Sequence, residues 1–359
     1  MPDNYESRRV QTLRGIACIL LVAFHTIGSE AVTGMKVDDD SGYRLFANLF
    51  TYLRMPLFTF LSGFVYAYRP VLPGAVGAFA RRKFTRLVLP LLCVSTLFYA
   101  VTEVSQSNAV WQIPLDQMWR IYVFNYAHYW FLQAIILIFA AVALLDRFKL
   151  LSTPGRYAVA FIATVAIHLT IPVDRDETVP FSALDALYLA PFFMLGLGAN
   201  RFRSILMQPL VSWTCVVVVL VGMVMHAAIL LQGQTPSQNG MPLELYIGVT
   251  GTLALIALCP PSRLLERIGA YSYAVYLFHP FFVGAARAVA KPIGVSGILF
   301  TVCVIAGVLG PMVMERVLGN VPILKTLLFG RQTRTTRTAP ARLTVPGHAA
   351  EVTAGPGRD

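Results

Sequence analysis

The chain alternates long apolar stretches with short polar ones. Runs rich in Leu, Val, Ile, Ala and Phe lie near 12–28, 49–68, 87–105, 129–145, 157–171, 183–200, 210–231, 243–259, 270–289 and 295–317. Most approach the roughly 20 residues that an α-helix needs to cross a bilayer. None shows the dyad alternation of a membrane β-strand. The pattern predicts an all-α polytopic membrane protein of about ten transmembrane helices. From Gly330 to Asp359 the large apolar residues give way to Arg, Thr, Pro, Ala and Gly. Such a segment buries too little surface to order itself, which predicts a membrane domain over 1–329 and a disordered basic cytoplasmic tail over 330–359. No internal repeat is visible, so the inverted halves of many transporters have no counterpart here.

Charge adds the orientation. Only 13% of the 359 residues are charged, whereas a soluble domain carries about a quarter, and a soluble enzyme is excluded. The net charge of +11 reads as cytoplasmic loop charge rather than affinity for nucleic acid. Basic groups recur at Arg8 and Arg9, at Arg69 to Arg86, at Arg147 to Arg156, at Arg201 and Arg203, at Arg263 and Arg267, and from Lys325 onward. Acidic residues occupy the alternate loops, at Glu30 and Asp38 to Asp40, at Asp116, and at Asp174, Asp176 and Glu177. The positive-inside rule then puts both termini in the cytoplasm. Ile27-Gly28-Ser29-Glu30 is a poor cleavage site, so the first segment reads as a retained anchor. All five cysteines fall within or at the end of apolar runs, which points to neither a disulfide framework nor a zinc or other metal site.

Ionisable residues inside spans are costly and mark candidate function. Arg14 and His25 are eleven residues apart in the first span. At about 100° and 1.5 Å per residue they differ by about 20° in azimuth and about 16 Å in height, so they share one stripe. Arg suits phosphate at the cytoplasmic end, and His suits proton transfer in the outer half. Arg14 snorkelling to the interface and His25 bonding a neighbouring helix would satisfy the same residues. Arg54, counted up from the cytoplasmic end of the second span, reaches about 21 Å, close to the roughly 20 Å of His25. It could stabilise an oxyanion, hold an anionic acceptor, or pair with Glu30 or Asp38. Ser62-Gly63 reads as a packing motif before a nucleophile. The run Arg81-Arg82-Lys83-Phe84-Thr85-Arg86 faces lipid headgroups or a cytoplasmic polyphosphate. His128 and Trp130 open the fourth span, where aromatics form an interfacial belt or a platform for a sugar ring. His279 lies near mid-membrane, lining the same cavity or bonding a tyrosine. Asp185 and Glu244 are further acids near outer ends, whereas His168 and His226 read as structural.

These residues resemble the acyltransferase-3 family of integral membrane O-acyltransferases. The resemblance rests on Leu13-Arg14-Gly15 with His25, Met55-Pro56-Leu57-Phe58 with Ser62-Gly63-Phe64, the basic run into Leu89-Pro90, Trp130-Phe131-Leu132, and Ser272-Tyr273 with Tyr276-Leu277-Phe278-His279. It implies a ten-helix protein of a bacterial inner membrane that moves an acyl group, usually acetyl, from cytoplasmic acetyl-CoA or another acyl-CoA to a hydroxyl of a surface or lipid-linked saccharide. No permanently bound cofactor is implied. The family's Arg-x-x-Arg pair reads Lys83-Phe84-Thr85-Arg86 here. Some relatives carry an extracytoplasmic SGNH domain, and this chain is expected to act without one. On this reading Arg14, Arg82, Lys83 and Arg86 meet the donor phosphates and His128, Trp130 and His279 meet the acceptor. His25 is general base or transient acyl carrier, with Arg54 at the oxyanion. A flippase for a lipid-linked sugar and a polysaccharide polymerase are the competing readings.

Overall fold

A computed structural model describes residues 4–71, 74–105, 113–170, 179–234, 242–290 and 294–331, together with residues 236 and 292. Residues 332–359, which make up most of the predicted tail, lie outside the described residues, as do Asp174, Asp176 and Glu177. The described chain is helical without strands. In order it runs through α1 (Asn4–Ile27), α2 (Gly42–Leu49), α3 (Thr51–Tyr66), α4 (Val76–Lys83), α5 (Leu89–Ser105), α6 (Arg120–Val123), α7 (Trp130–Arg147) and α8 (Pro154–Thr170). It continues with α9 (Ala183–Arg201), α10 (Arg203–Leu206), α11 (Pro209–Leu231), α12 (Pro242–Leu258), α13 (Arg263–Ala270), α14 (Ser272–Ala290), α15 (Gly297–Leu318) and α16 (Pro322–Phe329).

Each apolar run of the sequence is one long helix. Among the described residues, six stretches are long and apolar enough to cross a membrane, and α12 with α13, bent by 119°, brings the number to seven if the pair is counted as one broken span. The remaining long helices fall short for physical reasons. α8 has 17 residues and α3 has 16, of which 12 are buried. α14 carries His279 and Arg287. Helices enclosed by protein can hold polar groups that a lipid-facing helix cannot. At the other extreme, α11 and α15 bury only 22% and 28% of their apolar windows and turn Val, Leu and Ile outward, as contact with acyl chains requires.

Two glycine crossings set the bundle. α3 and α9 meet where Gly63 lies on the Phe193 carbonyl and Gly196 on the Phe60 carbonyl, each so close that a Cβ would overlap it. The sequence expectation that Ser62-Gly63 serves close packing is met, and the Ser62 hydroxyl donates to the Phe58 carbonyl at 2.9 Å. α1 crosses α13 in the same manner, Gly15 against Leu265 and Gly269 against Gln11. Small residues let backbones approach closely where lipid offers no hydrophobic drive to association. α1 is thereby the central helix, touching α3, α13, α14 and α15.

Candidate active site

The register of α1 and α14 builds the centre of the site. The Cys18 thiol lies 3.7 Å from the Ser272 carbonyl. Two turns further along both helices, the rings of His25 and His279 stand with centroids 4.8 Å apart. His128 completes a triangle, 6.1 Å from His25 and 5.1 Å from His279. It arrives from the loop before α7, where Ala127 takes φ 48°, a left-handed conformation uncommon outside glycine. The Tyr276 hydroxyl fixes that loop by donating to the His128 carbonyl at 2.5 Å.

Hydrogen bonding assigns the tautomers. A carbonyl only accepts, so His25 Nδ1, 2.9 Å from the Leu21 carbonyl, carries the proton and leaves the Nε2 lone pair available. His279 Nδ1 donates likewise to the Val275 and Tyr276 carbonyls at 2.9 and 3.0 Å. His128 is turned the other way, with Nε2 directed at the Leu277 carbonyl at 3.3 Å.

His25 opens onto a cavity of about 110 Å³ whose walls include Arg54, Met55, Thr51, His128, Trp130, Tyr188 and Tyr276, with exposed Ser29 at the rim. Arg54 is 5% exposed and its guanidinium lies 3.6 Å above the Phe24 ring, which fixes its plane by cation–π attraction. Arg54 belongs to the first turn of α3 and Trp130 opens α7, so two helix N-termini, each carrying partial positive charge, border the cavity. His25, Arg54, His128 and Trp130 thus converge as the sequence anticipated. His279 does not reach the wall: it is fully buried behind His25 and His128. His168 and His226 brace the surroundings, bonding the Tyr188 and Asn48 carbonyls at 2.8 and 3.1 Å. Asp185 and Glu244 are buried away from the cavity wall. Among the described residues no group of three or more His, Cys, Asp or Glu is arranged to hold a metal ion.

At the other end of the α1 stripe the cations divide into two kinds. Arg8 pairs with Glu266 at 3.0 Å, Arg201 with Asp146 at 2.9 Å, and Arg203 with Glu6. Arg9 donates to the Ile256 and Ala257 carbonyls. Arg14, Lys83 and Arg86 are half-buried. Among the described residues none of these three has a carboxylate within ion-pair distance. Instead Arg14 and Lys83 each stand within electrostatic range of Arg86. Lys83 lies over the Phe139 ring at 3.0 Å and Arg86 over the Tyr273 ring at 4.7 Å. Like charges held together at half-buried positions favour an anion between them. The helix at Phe84–Val88, between α4 and α5, is wound as a single π turn, the kind of irregularity that recurs at functional sites. Arg82 stands exposed on the flank, apart from the half-buried three.

α14 connects the two ends. Tyr273 donates to the Arg86 carbonyl at 2.6 Å, and one turn on Tyr276 donates to the His128 carbonyl. Cys18 and Leu21, which separate Arg14 from His25 along the stripe, are buried. Tyr276, Phe24, Thr51 and Tyr188 were not singled out for the site in the sequence. For Tyr276 the signals are its place in the motif that ends at His279 and the spacing of Tyr273, Tyr276 and His279 on one helical face.

Residues 8–316, nearly the whole helical bundle, match a family model described as an acyltransferase domain. The chain belongs to the acyltransferase-3 family. No curated protein and no solved structure matches it. The matched span runs from within α1 to within α15 and takes in the histidine triangle, Arg54 and the cation cluster. An acyltransferase needs a base for the acceptor hydroxyl and positive charge for the oxyanion of its tetrahedral intermediate. His25 and Arg54 are of the right chemistry for those two tasks and share one cavity.

Proposed function

We propose that this acyltransferase moves an acyl group, acetyl in the first instance, from cytoplasmic acyl-CoA to a hydroxyl of a cell-surface or lipid-linked saccharide. The setting is the inner membrane of a bacterium, with ten spans and both termini cytoplasmic. The observation that carries the reading is the two-ended α1: His25 with its Nε2 lone pair available above, and below it a cation cluster with no carboxylate within ion-pair distance among the described residues.

Donor phosphates would engage Arg14, Lys83 and Arg86, with Arg82 at the entrance, and the pantetheine arm would span the roughly 16 Å rise to His25. The acceptor hydroxyl, placed between His128 and Trp130, gives its proton to His25 Nε2 as its oxygen attacks the thioester carbonyl. Arg54 and the N-terminus of α3 stabilise the resulting oxyanion. Collapse breaks the carbon–sulfur bond, and the thiolate takes the proton back from the imidazolium. His279 supports His25 from behind.

The test is transfer of labelled acetyl from acetyl-CoA to saccharide acceptors by the purified protein in nanodiscs. Wild type should label the acceptor and release free CoA thiol in equal amounts, and His25→Ala should do neither. Label transfer by His25→Ala at the wild-type rate would refute the role of the base.

A further inference from the structure

The last described helix closes against the cation cluster. α16 ends at Phe329, which is 1% exposed and packs on Phe278 of α14 with centroids 5.6 Å apart. Gly330 then turns with φ 58°, and a Cβ there would stand 2.6 Å from the Arg86 carbonyl oxygen. Only glycine fits both the left-handed turn and the contact. The next residue, Arg331, has its N–H on the Lys325 carbonyl at 3.1 Å. Its guanidinium pairs with Glu315 of α15 at 2.9 Å and donates to the Ala270 carbonyl at 3.3 Å.

Glu315 is 5% exposed and lies within electrostatic range of Arg86, though beyond ion-pair distance. A buried carboxylate that loses its partner is strongly unfavourable and draws on the nearest remaining cation. Among the described residues, the cations within range of Glu315 are Arg331, Arg86 and Lys325. Of these three, only Arg331 is within ion-pair distance of Glu315, at 2.9 Å.

We propose that Arg331 is a positioning residue for the donor site: by engaging Glu315 it keeps that carboxylate off Arg86 and leaves the Arg86 guanidinium open to phosphate. The inference rests on the donor reading above. It gives α16 a task apart from packing, because the charge of Arg331 and not its bulk is what matters.

The experiment measures CoA binding to the full chain in nanodiscs by titration calorimetry. It compares wild type, Arg331→Ala, Arg331→Lys and the double variant Arg331→Ala with Glu315→Gln. Loss of the screening cation should weaken CoA binding about tenfold in Arg331→Ala. Arg331→Lys should bind like wild type, and the double variant should recover to within about threefold. A mere docking role for α16 would leave the double variant as weak as Arg331→Ala, and capture of Glu315 by Lys325 would leave Arg331→Ala like wild type; either result overturns the inference. Absence of saturable CoA binding by wild type would instead remove the donor reading on which it stands.

Discussion

His25 and His279 face each other at 4.8 Å because α1 and α14 are locked in register at Cys18 and Ser272. The same helices carry the cation end, Arg14 on one and the Arg86-binding Tyr273 on the other. A shift of one residue in either helix would turn a side chain by about 100° and separate base, cavity and anion site together. Below that contact α1 is also held against α13, where Gly15 meets Leu265 and Gly269 meets Gln11.

That crossing makes the first prediction. A Cβ at Gly15 would overlap the Leu265 carbonyl, which is backbone and cannot move aside cheaply. Gly15→Ala should lower the melting temperature in detergent and cost about 1–3 kcal/mol, the range for overpacking. Gly77→Ala, whose Cβ would meet nothing within 4 Å, is the control and should leave it unchanged. Equal stability of the two variants would contradict the crossing.

The two classes of arginine at the Arg14 end of the bundle differ in their expected effect. Arg14→Ala should raise KM for acyl-CoA about 10- to 100-fold, the loss of a charged hydrogen-bonded contact of roughly 1.5–3 kcal/mol, with little change in kcat. Arg8→Ala, which breaks the pair with Glu266, should leave KM unchanged. The effect of Arg14→Ala should shrink at high salt, since the contact is electrostatic. Steady-state kinetics at two ionic strengths checks all three.

Arg54 should act on the chemical step. Arg54→Gln removes the charge proposed for the oxyanion, and kcat should fall by about 10²- to 10³-fold with donor KM near wild type, as for loss of an oxyanion donor. A change confined to KM would assign Arg54 to acceptor binding.

Gln133 ties the segments at 120–124 and 180–182 to α7. Its amide donates to the Tyr122 and Phe124 carbonyls at 3.1 and 3.0 Å and its oxygen accepts from Ser182 at 2.7 Å. Gln133→Leu would leave these groups unpaired in a buried setting and should cost about 1–3 kcal/mol. Faster hydrogen exchange at residues 120–124 and 181–182 would report the loosening, and unchanged exchange would speak against it.

Much of this architecture was legible in the sequence. Apolar runs gave every long helix, and helical spacing put Arg14 and His25 on one stripe, because both depend on neighbours along the chain. Counting rise per residue brought Arg54 to the depth of His25. The rest depends on which face meets which across the bundle. Arg8 with Glu266 and Arg201 with Asp146 are 258 and 55 residues apart, so no local pattern distinguishes these paired arginines from Arg14 or Arg86. His279 has the same helical surroundings whether it lines the cavity or lies behind it, and only the register with α1 puts it behind. His128 reaches the cavity through the left-handed Ala127, a conformation that alanine does not advertise.

The most direct test of the central claim is mass spectrometry of the host's surface polysaccharide and its lipid-linked precursors. A deletion strain would be complemented with wild type or His25→Ala. The account predicts loss of a single acyl mass from an otherwise complete glycan, restored by wild type and not by His25→Ala. Intact acylation with collapse of glycan export or chain length would contradict it and favour a flippase or a polymerase.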